Sequence, residues 1–121
     1  MSAEVIGACI EVHRHLGPGL LESAYQSCLA HELSIRGIRF ARQTHVPLIY
    51  KELQLDCGYR LDLIVESALI VEVKSVERLQ PIHCSQMITY LKLAAVTSGL
   101  LVNFNVGLLT NGVRRLELKG M

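Results

Sequence analysis

The sequence predicts an α/β protein, with a mixed sheet flanked by helices. Apolar residues recur at helical spacing in the first third of the chain and alternate with polar residues in the middle. The last third has the succession strand, helix, strand. The predicted order is ααβββαββ. With 121 residues and no Pro/Gly/Ser-rich linker or charge block, residues 1–121 are expected to form one domain.

Two helices are predicted at the start of the chain. Ser2 is expected to cap the first, which Gly17-Pro18 ends. The second is expected from about Gly19 to Arg36, with Gly37 ending it. The apolar stripe of the first helix is Val5, Ile6, Cys9, Val12 and Leu16, and that of the second is Leu21, Ala24, Cys28, Leu29 and Leu33.

Two strands are predicted next. Phe40 to Tyr50 has the character of an extended strand, and Pro47 indicates a sheet edge or a distorted entry. After a Lys51-Glu52 turn, every odd position from Leu53 to Val65 is apolar, while the even positions up to Asp62 are polar or glycine. This alternation is a strong strand signal.

The remaining elements place a helix between two strands. A strand is predicted over Leu69 to Val76, a helix from Pro81 to about Val96, and a strand over Gly99 to Phe104. This succession implies a right-handed parallel crossover. Asn111-Gly112 is then predicted to turn the chain into a last strand, Val113 to Leu118.

The composition indicates the oligomeric state and the cell compartment of the protein, but it does not indicate its function. Half of the residues are apolar and only 19% are charged, which favours a surface shared with a second copy in a homodimer. The net charge of +1 neither supports nor excludes a nucleic-acid partner. The four cysteines lie far apart, with no signal peptide before them, which predicts a reducing, cytoplasmic compartment. Polar residues interrupt the apolar stretch from Leu91 to Leu109, so we expect a helix end and a buried strand rather than a membrane span.

Two acids and a base converge on the predicted central strands. Glu72 and Lys74 are two apart on one strand and therefore point the same way. If the preceding turn is a three-residue loop at 66–68, Asp62 lies directly opposite Glu72, whereas a two-residue turn shifts the pairing by one. Two such carboxylates form an oxygen-rich site for Mg²⁺, and an ammonium beside them can activate a water. The alternative is a solvated sheet face with a cross-strand ion pair.

Several motifs together resemble a known family. Gly19-Leu20-Leu21-Glu22-Ser23-Ala24-Tyr25 resembles the signature of the GxxExxY proteins, a branch of the PD-(D/E)XK nuclease-like superfamily. Asp62, then Glu72-Val73-Lys74, then Gln86 with Tyr90 fall where that superfamily's later motifs are expected. The resemblance covers essentially the whole chain. Leu61 stands in place of the superfamily's leading proline, which has no role in ligating metal.

The resemblance implies a restriction-endonuclease-like core with a divalent metal, Mg²⁺ or Mn²⁺. Asp62 and Glu72 would hold the ion, and the main-chain carbonyl of Val73 could add a ligand. Glu22, from the second helix, would add a carboxylate near the metal or its water shell. Alternatively, Glu22 simply favours a helix N-terminus through the helix dipole.

The resemblance also implies roles outside the metal shell. Lys74 would assist the attacking water. Gln86 and Tyr90, four apart and therefore on one helical face, would steady the lysine, the water or a substrate phosphate. Tyr25, Gln86 and Tyr90 are equally well explained as ordinary core or half-buried residues.

The sequence leads us to a function hypothesis with two alternatives. The first is a metal-dependent nuclease that hydrolyses phosphodiester bonds of DNA or RNA. The second is a catalytically inactive binding or assembly module that kept the fold, and the third a nucleic-acid-binding regulator without cleavage.

Two other groups of residues give weaker evidence of a functional site. The histidines and cysteine at positions 13, 15, 83 and 84 lack the spacing of a zinc site. Arg36, Arg39, Arg42 and Lys51 form either a basic edge that follows a phosphate backbone or a solvated helix end and strand start.

Overall fold

The computed structural model describes residues 1–119 and confirms an α/β fold with a mixed sheet. The helices are α1 (Ser2–Leu16), α2 (Glu22–Ile35) and α3 (Pro81–Ala94). The strands are β1 (Phe40–His45), β2 (Leu48–Tyr50), β3 (Leu53–Leu55), β4 (Arg60–Val65), β5 (Leu69–Lys74), β6 (Ser98–Asn103) and β7 (Val113–Glu117). A short 3-10 helix, Leu109–Gly112, leads into β7.

The main sheet has five strands in the order β1-β4-β5-β6-β7. β5 and β6 are parallel and α3 connects them, as the strand–helix–strand pattern predicted. The other neighbours are antiparallel. β1 lies at an edge, which agrees with the position of Pro47 just after it.

Helices cover both faces of this sheet. One face packs against α1 and α2, where Val71 and Val73 are buried with Val5 and Leu29. The other face packs against α3, where Met87 and other residues of α3 are buried with sheet residues. Gly99 on β6 allows this approach, because a Cβ atom there would lie 2.7 Å from the Met87 sulfur.

The helix starts differ from the sequence prediction. Ser2 is the first residue of α1 rather than its cap, and Met1 occupies the cap position without a side-chain hydrogen bond. α2 begins at Glu22 instead of about Gly19, because Leu21 has an extended backbone. The predicted stripe of α2 was partly wrong, since Leu21 is 76% exposed and the buried side includes Tyr25.

Two long strands of the prediction are each broken in the structure. The first is interrupted at Val46-Pro47, where proline supplies no N–H to a ladder. The second is interrupted over 56–59, where the Gly58 N–H donates to Asp56 Oδ1 (3.1 Å) and Gly58 has a φ of 75°. The freed segments, β2 and β3, pair with each other as a separate hairpin, which we call the β2–β3 arm.

The apolar stretch from Leu91 to Leu109 forms the end of α3, strand β6 and the loop after it. Over residues 1–119, no helix combines the length and apolar character that crossing a membrane requires. The prediction of a helix end followed by a buried strand is confirmed.

Candidate active site

The β4–β5 hairpin brings Asp62 and Glu72 together. Its turn has three residues, 66–68, and the register pairs Leu63 with Val71. The ladder ends at this pair, and continuing its register by one step would set Asp62 opposite Glu72. The Asp62 N–H donates to Glu72 Oε2 (2.7 Å), and the Val73 N–H donates to Asp62 Oδ2 (2.8 Å). The two carboxylates are therefore clasped between the strand ends by main-chain amides.

The pair is electrostatically unfavourable when both carboxyl groups are charged. Glu72 is only 5% exposed. Burial, followed by the negative charge of Asp62, raises the pKa of Glu72 to about 8. Burial also raises the pKa of Asp62, although the Val73 amide and the Lys74 charge oppose it. A solvated face with an ion pair does not describe Glu72, because its carboxylate is buried and hydrogen-bonded to a backbone amide.

A divalent cation fits this donor set. Each carboxylate uses one oxygen for an amide, and the repulsion that raises the pKa of Glu72 is what a cation would relieve. Within the described part of the chain, however, no three acidic, histidine or cysteine side chains form a metal-binding group. The arrangement is a two-carboxylate site, in which water and main-chain oxygens would complete the coordination of an ion such as Mg²⁺.

Lys74 lies on the same face as Glu72, two residues further along β5. Its side chain is half-buried, and its positive charge lowers the pKa of both Asp62 and Glu72. Among residues 1–119 it forms no ion pair within 4.0 Å. The ammonium is thus close enough to act on the site electrostatically without being held by a carboxylate.

Glu22 reaches the same end of β5 from the first turn of α2. Its Oε2 accepts a hydrogen bond from the Ser75 N–H (3.2 Å), and the Ser75 hydroxyl donates to the Leu20 carbonyl (2.6 Å). The negative charge of Glu22 contributes to the raised pKa of Asp62 and Glu72. Glu22 therefore lies near the pair, but it does not form a three-carboxylate group with them.

Tyr25, the last residue of the heptapeptide, fixes the loop between α1 and α2. Its hydroxyl donates to the Gly17 carbonyl (2.5 Å) and accepts from the Leu20 N–H (3.1 Å). Its ring stacks on Phe104, with centroids 4.6 Å apart. The glutamate and tyrosine of the heptapeptide thus anchor the start of α2 next to the exit of β5.

Gln86 and Tyr90 lie one turn apart on α3. Tyr90 is 8% exposed, and burial, then the Glu72 and Tyr59 charges, raise its pKa. The Tyr59 ring lies 6.4 Å from the Tyr90 ring. Gln86 is exposed. The structure thus places Tyr90 near the carboxylates and leaves Gln86 on the surface one turn earlier.

Two further residues near the site were not singled out as site residues from sequence. Asn103, at the end of β6, is 2% exposed and holds Val76 by two hydrogen bonds, to its N–H (3.0 Å) and its carbonyl (2.9 Å). The position of Asn103, a polar residue at the end of an apolar strand, was the sequence signal that could have identified it. The Arg42 guanidinium donates to Gln26 Oε1 (3.2 Å) and Ser27 Oγ (3.3 Å), and its charge lowers the pKa of Asp62.

The predicted basic edge is divided by ion pairs. Arg36 pairs with Glu32 (2.8 Å) and Arg39 pairs with Glu66 (3.2 Å). Arg42 is held by neutral side chains instead. Only part of the edge therefore keeps a cation that is not neutralised by a neighbouring carboxylate.

The fold and the site together define a class. A mixed sheet flanked by helices, with an Asp–Glu pair and a lysine at one end of two central strands, is consistent with the restriction-endonuclease-like core. The family model of the PD-(D/E)XK nuclease superfamily matches residues 1–116, so the chain belongs to that superfamily. Membership in the GxxExxY branch stays a prediction. No match was found among curated proteins or among solved structures.

Proposed function

We propose that this protein is a Mg²⁺- or Mn²⁺-dependent nuclease that hydrolyses phosphodiester bonds of DNA or RNA. The observation that carries this proposal is the clasped pair of Asp62 and Glu72, in which burial and mutual repulsion raise the pKa of Glu72 to about 8. Residues whose pKa is strongly shifted by burial and by a neighbouring charge cluster at functional sites. Membership in a nuclease superfamily supports the same reaction class.

The residues would divide the work as follows. Asp62 and Glu72 would hold the ion, which when bound supplies Lewis-acid activation of water and neutralises phosphoryl charge. Lys74 orients the attacking water and offsets the negative charge that builds on the phosphoryl oxygens. The water oxygen forms a bond to phosphorus while the bond to the leaving sugar oxygen breaks. The leaving sugar oxygen takes a proton from solvent, and the proton lost by the attacking water passes to solvent.

The surrounding residues have supporting roles in this proposal. Glu22 would bind the water shell of the ion, and the Val73 carbonyl would add a ligand. Tyr90 would steady the lysine, the water or a phosphate, with Gln86 reaching the substrate from one turn away. Arg42, held by neutral partners, would contact a neighbouring substrate phosphate.

A nuclease assay with matched variants tests the proposal. Single- and double-stranded DNA and RNA are incubated with Mg²⁺, with Mn²⁺ and with chelator. Asp62→Asn keeps an acceptor for the Val73 amide but removes the charge, so it should abolish cleavage and leave the fold intact. Lys74→Ala should do the same. Glu4→Gln, an exposed acid on α1, is the control and should cleave normally. Cleavage by Asp62→Asn at the parental rate would overturn the assignment.

One observation favours a second candidate, a catalytically inactive binding or assembly module. In the described residues only two carboxylates come together, where a third would strengthen metal binding. Calorimetry that detects no divalent-ion binding at millimolar concentration would favour this candidate. A regulator that binds without cutting would be retained on nucleic-acid columns in a salt-dependent way, with the nucleic acid recovered intact. The homodimer and the cytoplasmic location stay predictions.

A further inference from the structure

The β2–β3 arm has an apolar side that the rest of the described chain covers only in part, at the half-buried Leu48. Its register pairs Leu48 with Leu55 and Tyr50 with Leu53, so these four side chains share one face. Tyr50 is 62% exposed, Leu53 54% and Leu55 40%. Exposed apolar side chains grouped on one small face indicate a binding surface.

The arm begins at the same end of the sheet as the carboxylate pair. It connects the end of β1 to the start of β4, and Asp62 is the third residue of β4. β5 runs antiparallel to β4 and therefore reaches this end with Glu72 and Lys74. Tyr59, at the root of the arm, is 42% exposed, and its ring lies 6.4 Å from Tyr90. The exposed Tyr59 ring thus lies between the buried Tyr90 ring and the root of the arm, and Tyr50 lies at the turn end of the same arm.

Cations accompany these aromatic rings. The Lys51 ammonium lies 5.4 Å from the centre of the Tyr50 ring, and exposed Arg60 follows Tyr59 in sequence. Within residues 1–119, neither Lys51 nor Arg60 forms an ion pair within 4.0 Å. The exposed acids Glu52 and Asp56 balance the formal charge of Lys51 and Arg60, so the match to a nucleotide rests first on the exposed rings, which can stack on a flat base, and then on the cations beside them.

Unpaired bases are the form that such a surface can bind. In a duplex, each base is stacked on its neighbours, so its faces are not available to a side chain. In a single strand, bases can be splayed out and stacked on aromatic rings. We propose that the β2–β3 arm binds unpaired bases on Tyr59 and Tyr50, with Lys51 and Arg60 next to the phosphates. This inference rests on the proposed nuclease function and narrows its substrate to single-stranded nucleic acid.

Binding in the presence of chelator tests the arm without cleavage. The ligands are a short labelled single strand, the duplex of the same sequence, and an abasic single strand with the same number of phosphates. The single strand should bind about a hundredfold more tightly than the abasic strand, because the abasic strand lacks both stacking contacts, each worth about tenfold. Equal affinity for the two, or a duplex that binds as tightly as the single strand, would overturn the inference.

Substitutions at the two tyrosines separate stacking from apolar contact. Tyr50→Leu and Tyr59→Leu should each weaken binding of the base-containing strand about tenfold and leave the abasic strand unaffected. Tyr50→Phe and Tyr59→Phe keep the ring and should bind as the parent does. Both positions are well exposed, so folding should be preserved, which circular dichroism checks. Leucine variants that bind as tightly as the parent would contradict a stacking role.

A second copy of the chain is the competing occupant of the arm. Sedimentation equilibrium would then show a dimer that Leu53→Glu dissociates, with no change in base-dependent binding, and that result would overturn the inference. The cleavage assay separates the two proposals. Base-dependent binding without cleavage supports the arm and refutes the nuclease, whereas cleavage of duplex that is insensitive to the tyrosine variants supports the nuclease and refutes the arm.

Discussion

Glu72 carries a carboxyl group whose ionisation is opposed by the folded structure. Its pKa is raised from an ordinary value of 4.5 to about 8, mainly by burial and then by Asp62. A raised carboxyl pKa means that the native state holds its proton more tightly than the unfolded chain does. Its contribution to stability is therefore complete below the ordinary pKa and is lost as the pH rises through about 8.

The raised pKa of Glu72 predicts how the stability of the metal-free protein depends on pH. The free energy of unfolding should fall between about pH 5 and about pH 9 by an amount on the order of a few kcal/mol from Glu72. Glu72→Gln, which keeps an acceptor for the Asp62 amide, should remove most of that decline. Urea unfolding across this pH range measures it. Glu66→Gln, on the hairpin turn, is the control and should keep the parental decline. A parental slope in Glu72→Gln would show that the carboxyl group titrates normally.

Tyr25 gives a second prediction at the scale of one residue. Tyr25→Phe removes the hydroxyl that joins the Gly17 carbonyl to the Leu20 amide but keeps the ring on Phe104. We expect a loss of about 1–2 kcal/mol in the free energy of unfolding, measured with urea. Cleavage should also weaken, because the start of α2 positions Glu22. Tyr50→Phe, on the exposed arm, should leave stability unchanged, and an equal loss there would contradict a specific role for the Tyr25 hydroxyl.

The sequence was sufficient to predict the carboxylate pair, but not the hydrogen-bond partners of the residues around it. The Asp62–Glu72 pairing follows from the length of one turn, because side chains alternate and a three-residue loop fixes their parity. The buried partners of Tyr25 and Asn103 depend on contacts between distant segments, which no local pattern encodes.

At the scale of elements, the strand alternation predicted which residues of β4 are buried, but not all of their faces or partners, since Leu61 packs with α3 whereas Leu63 and Val65 pack with α1 and α2. Leu61 to Val65 alternate between buried and half-buried, as the odd-position pattern indicated. The same pattern continues through 53–59, although the chain there leaves the sheet and pairs within the arm. An irregular stretch of four residues, 56–59, preserves the parity of the alternation, so the break is invisible in the pattern. Pro47 and Gly58 were the residues that carried the information.

The contact between α3 and β6 gives a prediction at this scale. Gly99→Ala would place a Cβ 2.7 Å from the Met87 sulfur, so the helix or the side chain must move. Because the contacted atoms belong to the flexible end of Met87, we expect a loss near the lower end for overpacked cores, roughly 1 kcal/mol, measured by urea unfolding. Gly107→Ala is the matched control, because a Cβ there meets nothing within 4 Å. Equal stability of both variants would mean that the packing of α3 is loose.

At the scale of the whole molecule, ion binding and folding should be linked. A cation that binds only the native state raises its stability with increasing concentration. Protons compete for Glu72, whose pKa is raised to about 8, so Mg²⁺ should raise the melting temperature more near pH 8 than near pH 6. Differential scanning calorimetry with and without Mg²⁺ measures this, and Asp62→Asn should abolish the shift. A larger shift at the lower pH would place the ion elsewhere.

The clasp between β4 and β5 has a consequence for observation. The amide protons of Asp62 and Val73 are tied to the two carboxylates themselves rather than to cross-strand carbonyls. A ligand that binds the carboxylate oxygens of Asp62 and Glu72 must change how strongly these two amide protons are protected from exchange with deuterated solvent. NMR measurement of these two amide protons would therefore report whether the carboxylate site is occupied, without requiring that any nucleic acid be cleaved.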